Sequence, residues 1–162
     1  MTTTIGQSGH RLLPVGARVY IRSVLSDYLR GIAERGALRG LTSLAVGADQ
    51  LFAEVVLSLK GELAVVVPCA RYEETFSTLS QRRRYHRLIE LAADVERLDY
   101  VDASEQAFFA AGRRVVERCD ELVAIWDGKP ARGPGGTADV VAYAQRSGRP
   151  IRIIWRPDSR RP

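Results

Sequence analysis

Apolar residues along this chain switch between two spacings. Runs at 41–46, 63–67, 122–126 and 151–155 are apolar almost throughout, as in strands covered on both faces. Between them, apolar positions recur every three or four residues. Val15, Val19, Leu25, Tyr28, Leu29 and Ile32 predict a helix over 15–37, opened by Pro14 and closed by Gly36. Leu51, Phe52, Val55, Val56 and Leu59 predict a second helix that stops at Gly61, and Tyr85, Leu88, Ile89 and Ala92 a third over 80–93. A fourth buries Phe108, Phe109, Val115, Val116 and Cys119, with Asp102 as N-cap and Glu105 completing a capping box. Short strands at 2–5 and 95–98, a loop with one helical turn at 69–78, and a helix entered at Thr137 complete the series. Residues 157–162 read as a short polar tail that frays. Strand and helix alternate without a linker. The expected fold is α/β: a single Rossmann-like three-layer α/β/α domain over 1–156 with a mostly parallel sheet.

The segment 120–148 organises the rest. A buried strand runs into a loop holding Gly128, Gly133, Pro134, Gly135 and Gly136, and the chain then enters a helix. Glycines let backbone approach a ligand closely, and the first-turn N–H groups and dipole of a helix attract an anion, most often phosphate. Three other polar or glycine-bearing stretches, 6–11, 47–49 and 68–71, also fall where strands end. Ligands of open parallel sheets sit beyond the carboxyl ends of the strands, so four loops are expected to surround one crevice.

Composition narrows the setting. The 162 residues suit one domain with a sizeable core, and 46% hydrophobic with 27% charged residues is ordinary for a soluble protein. No apolar run approaches the roughly 20 residues of a membrane span, and the first ten residues lack a signal peptide's apolar core. Cys69 and Cys119 have no metal or redox spacing and are expected to be reduced, in a cytoplasmic protein. With two histidines and no carboxylate pattern, neither a metal site nor a cofactor is read. Net charge is +5, carried by 22 arginines and two lysines spread along the chain. No nucleic-acid motif accompanies that charge, which places nucleic acid behind a small molecule as a partner. Arg82, Arg83, Arg84 and Arg87 crowd one helix and read first as a solvated face.

Four stretches, GQSGHR near the start, AVGADQLFAE, VVPCARYEETF and CDELVAIWDGKPARGPGGTADVVAYA, resemble the SLOG superfamily of Smf/DprA and LOG-like Rossmannoid proteins over almost the whole chain. The resemblance implies a nucleotide or nucleotide-sugar ligand. It places the phosphate on Gly135, Gly136 and Thr137 of the PGGT loop, beside Gly133, with Gly6, Ser8, Gly9, His10 and Arg11 at the same or a second phosphate. It puts Asp49, with Gly47 and Ala48, near the ribose or at its own helix cap, Pro68 at the end of its strand, and Asp127 and Gly128 in the crevice wall. By analogy a homodimer is implied. LOG-type phosphoribohydrolases carry PGGxGTxxE, whereas this chain has Pro134-Gly135-Gly136-Thr137-Ala138-Asp139. Asp139 is then the candidate catalytic carboxylate, shorter and shifted from the family's glutamate, or else a complement to the helix dipole. Three functions follow in order: nucleotide binding or sensing, hydrolysis of a nucleotide N-glycosidic bond, and DprA-like nucleic-acid binding.

Overall fold

A computed structural model of the chain describes residues 1–130 and 136–162. Six strands, β1 (Thr2–Gly9), β2 (Ala37–Thr42), β3 (Glu62–Val67), β4 (Asp94–Arg97), β5 (Glu121–Ile125) and β6 (Ile151–Ile154), form one sheet in the order β4-β3-β2-β1-β5-β6. Every neighbouring pair is parallel. The helices are α1 (Ala17–Ala33), α2 (Ala48–Ser58), α3 (Leu79–Leu91), α4 (Glu105–Arg118) and α5 (Thr137–Arg146), with a 3-10 turn at Tyr72–Thr75. β3 explains its own continuous apolar run. Leu63, Val65 and Val67 pack with Tyr85 and Leu88 of α3, while Ala64 and Val66 pack with Val115 and Val116 of α4. Both faces are covered from Leu63 to Val67, so only Glu62 at its start is free to be polar.

The order of elements matches the periodicity, but several boundaries move. α1 begins at Ala17 and buries Ala17, Ile21, Leu25, Leu29 and Ile32; Val15 and Val19, expected inside, are exposed. β2 occupies 37–42 rather than 41–46, because its ladder starts where Ala37 pairs with Thr2. Gly40 and Arg39 interrupt the apolar pattern there. Gly40 is required because α2 lies against it, and a Cβ would come within 2.5 Å of Val56 Cγ2. The N-cap of α4 is Ser104, whose Oγ accepts the Ala107 N–H at 3.0 Å; Asp102 instead meets Arg71 at 2.9 Å. A capping box does occur, at the start of α3: Thr78 Oγ1 accepts the Gln81 N–H and Gln81 Oε1 accepts the Thr78 N–H.

β1 also runs further than expected, so Gly6, Gln7, Ser8 and Gly9 are strand rather than turn. Gly6 is buried under α4, and a Cβ there would stand 2.8 Å from Val115 Cγ1 and 2.9 Å from Cys119 Cβ. Gly6 serves the packing of α4 on β1. Gly6→Ala should therefore destabilise the fold by about 1–3 kcal/mol through overpacking. A urea midpoint unchanged from the parent would contradict that close contact.

Candidate functional site

The sheet order reverses direction at β1, with β2 on one side and β5 on the other, and a cavity of about 500 Å³ opens beyond their carboxyl ends. This is the switch point at which open parallel sheets place their ligands. The described lining includes Ser8, Gly9, His10, Arg11, Asp49, Pro68, Gly136 and Thr137, all expected from the sequence. Gly136 is the N-cap of α5, and Thr137 begins the helix as a buried residue, so the first turn of α5 opens on the cavity. Gly133 and Gly135, with Pro134, lie outside the described residues.

Other expected residues turn out to build the site rather than line it. Gly47 has φ +91, and a Cβ there would collide with the Arg11 carbonyl; the Ala48 N–H donates to the His10 carbonyl at 3.1 Å. Both lock the β1–α1 loop onto the start of α2. Gly128, at φ +80, turns the chain after β5. Asp139 sits in the first turn of α5 but is not among the lining residues, which are Thr137, Ala138 and Val140 on that helix.

Asp127 is not an open wall either. Its carboxylate accepts from Arg161 Nε at 3.0 Å and from the Lys129 N–H at 3.0 Å, and Oδ1 lies 3.1 Å from His10 Nε2. Burial alone would raise this carboxyl, but the Arg161 guanidinium, the Lys129 N–H and His10 together bring it down to about 2. Arg161 also donates to the Pro130 carbonyl and lines the cavity, and Trp155 Nε1 donates to the Ser159 carbonyl at 3.0 Å. The chain end expected to fray is thus folded back over the site. His10 stands edge-on to Trp155, with ring centroids 5.3 Å apart.

At the opposite side of the cavity floor, Asp49 is only 6% exposed. It does not cap α2, whose N-cap is Gly47; its Oδ2 reaches back to accept the Ala45 N–H at 3.1 Å. Gln50 Nε2 donates to the Leu44 carbonyl at 3.2 Å, and Leu44 itself is held at φ 59. These two side chains fix a loop that contains a residue in the left-handed region, a strain that the surroundings must over-determine. Burial pushes the Asp49 carboxyl from 3.8 up to about 6, against the opposing pull of the Ala45 N–H, Gln7, Arg11 and Thr42. Around it the sequence reading missed Gln7, Thr42, Tyr72, Phe108 and Arg161. Gln7 was legible as a polar side chain, with Ser8, between the two glycines of β1. Arg161 left no local signal, because only the folded-back tail brings it here.

No family model and no curated protein matches the chain. Solved structures do. DNA processing protein A from Helicobacter pylori, described for its single-stranded DNA binding mode, aligns over 93% of this chain and 64% of its own, with TM-score 0.67 and 17% identity. DNA processing protein A from Streptococcus pneumoniae aligns over 94% of this chain and 50% of its own, at TM-score 0.66 and 14% identity. The chain therefore spans less than two thirds of either protein. The molybdenum cofactor carrier protein from Chlamydomonas reinhardtii aligns over 94% of this chain and 76% of its own, at TM-score 0.58 and 18% identity. The chain shares the Rossmann-like α/β fold of these proteins. Among the described residues, no helix is long and apolar enough to cross a membrane, and no three His, Cys, Asp or Glu side chains converge to hold a metal.

The two carboxylates give opposite pH signatures. The folded state holds the Asp49 proton more tightly than the unfolded chain, so this group favours folding below pH 3.8 and progressively opposes it as pH rises through 6. The full change is about 3 kcal/mol. Asp49→Asn should therefore gain stability relative to the parent between pH 4 and 7, seen as a melting-temperature difference that widens by several degrees. A difference independent of pH would contradict the buried-carboxyl assignment. Asp127 works in the other direction: its low value favours folding above pH 3.8, and that contribution is lost as pH falls through about 2. Arg161→Ala should lower the stability from urea unfolding by about 1–3 kcal/mol at pH 6 and by much less at pH 2. An equal loss at both pH values would mean that Arg161 acts by packing alone.

Proposed function

We propose that this protein binds a nucleotide or nucleotide-sugar ligand in the cavity, with the phosphate at the N-terminus of α5, and recognises it rather than turning it over. The observation that carries this reading is the division of the cavity into unlike parts. Gly136 and Thr137 bring a helix N-terminus to it, Arg11 and Arg161 bring guanidinium groups, and Phe108, Val115 and Val140 supply an apolar wall. A phosphate suits the first two and a ring system the third. The Arg11 guanidinium lies 5.8 Å from the Phe108 ring centroid, so the cationic and aromatic parts adjoin. Moco carrier proteins, which share the fold, bind an organic cofactor, and this supports small-molecule binding by analogy. Binding without hydrolysis is favoured because the lining carboxylates are Asp49, tied to the Ala45 N–H, and Glu105 at the start of α4, while Asp139 is not among them. A cytoplasmic setting fits such a ligand.

A thermal-shift screen with nucleoside monophosphates, ADP-ribose, NAD, cyclic dinucleotides and a single-stranded oligonucleotide tests the reading. A nucleotide at a hundredfold excess over its Kd should stabilise the protein by about 2.7 kcal/mol. Arg11→Ala and Thr137→Val should each weaken that binding about tenfold, the loss of one charge-assisted or hydroxyl contact. The nucleotide should be recovered intact after overnight incubation. Release of free base, abolished in Asp139→Asn, would replace the reading with a hydrolase. A response to the oligonucleotide alone, falling steeply with salt, would replace it with nucleic-acid binding.

A further inference from the structure

The floor of the cavity carries an unanswered hydrogen-bond donor. Gln7 is 2% exposed, on the central strand, and lines the cavity. Its Oε1 accepts from the Thr42 hydroxyl at 2.9 Å, and Thr42 is fully buried. That bond turns the other end of the amide, Nε2, inward, where it has no hydrogen-bond partner. Gln7 and Thr42 both favour the ionised form of the Asp49 carboxyl, so the amide lies beside that group. Asp49 spends one oxygen on the Ala45 N–H, and an ionised carboxylate retains further acceptor capacity. A donor and an acceptor thus stand side by side at the bottom of the cavity. Tyr72 and Phe108 line the same cavity, and Arg11 lies over Phe108. Buried polar groups are rarely left unmatched, and an exception at a cavity wall calls for a partner from outside the chain.

We infer that Gln7 and Asp49 form the specificity-determining edge of this site, with Gln7 Nε2 donating to, and Asp49 accepting from, adjacent groups on one edge of a planar heterocyclic base beside Phe108 and Tyr72. The inference rests on the nucleotide reading above and adds to it which part of the ligand the floor reads. A base edge carries an acceptor next to a donor, which complements this pair, and its ring faces suit aromatic neighbours. A ribose diol offers the same two functions without a planar face. The test therefore separates base from sugar.

Isothermal titration calorimetry would use AMP, GMP, CMP and UMP as probes. Purine ribonucleoside 5′-monophosphate, which lacks exocyclic groups, and ribose 5-phosphate serve as controls. At least one of the four nucleotides should bind the parent protein about tenfold or more tightly than the purine analogue, because a site built to hydrogen-bond rejects ligands lacking the group. Gln7→Met should lose a similar factor on that nucleotide, little on the analogue and nothing on ribose 5-phosphate, so the two deletions are not additive. Thr42→Val, which frees the amide to rotate, should lose part of it. Equal affinity of all four nucleotides and the analogue in the parent protein would overturn the inference whether or not either variant folds. So would a Gln7→Met loss shared by ribose 5-phosphate, which would assign the floor to the sugar. If none of the four nucleotides binds the parent at all, the nucleotide reading fails and takes this one with it.

Discussion

How closely two helices can approach β1 determines everything at the ligand end of this domain. Gly6 lies beneath Val115 and Cys119 of α4, and Gly9 beneath Ala48 at the start of α2. A side chain at either position would hold a helix away from the sheet. The helices come from opposite faces, since Ala48 belongs to the core between α1, α2 and the sheet, whereas Val115 belongs to the core under α4 and α5. The bare strand lets both layers close on its carboxyl end. Gly47 and Gly112 extend the same logic outward: one lets the β1–α1 loop lie on α2, the other lets Val140 of α5 lie on α4. The walls of the cavity are thereby set by close packing directly onto glycine backbone, and this gives a site its precision.

Onto that rigid frame the chain places groups that oppose stability. An unpartnered buried amide costs on the order of 1–3 kcal/mol. The Asp49 carboxyl, buried to the point where it titrates near 6, costs a similar amount at neutral pH. Leu44 in the left-handed region adds a further strain of about 1 kcal/mol or more. All three lie within one short stretch of the fold, the β2–α2 loop and the strand residue beside it. The remaining core is apolar and well covered, so it can carry them. Concentrating cost in one place is how a structure marks a working site without losing its fold.

What could be read from the sequence follows from the range of each interaction. The parallel sheet was legible because β3 and β5 are apolar on both faces and the helices between strands repeat at 3.6 residues. The PGGT approach to α5 was legible as glycine followed by a helix start, and Gly136 and Thr137 do stand at the cavity. β2 was misplaced because Gly40 and Arg39 break its pattern for reasons that lie in α2, not in β2. The α4 cap went to Ser104 because Asp102 is held by Arg71, 31 residues away. Gly6 and Gly47 accommodate protein, and no local signal separates that from accommodating a ligand. Arg161 was invisible for the same reason, since its partner Asp127 lies 34 residues earlier.

The two aspartates show how one cavity can offer unlike chemistries. Asp127 is buried against a guanidinium and a backbone N–H, so it stays ionised and spends its charge holding the tail. Asp49 is buried with weaker compensation, so its charge is held less firmly and stays directed toward the cavity. The first neutralises much of Arg161, which leaves Arg11 as the guanidinium with no carboxylate within ion-pair distance among the described residues. A ligand entering this space meets a helix N-terminus and an exposed arginine, which suit an anion. At the floor it meets a poised carboxyl and a free amide hydrogen, which suit a neutral polar edge. A simple anion answers only the first of these environments. A molecule with a phosphate at one end and a hydrogen-bonding ring at the other answers both.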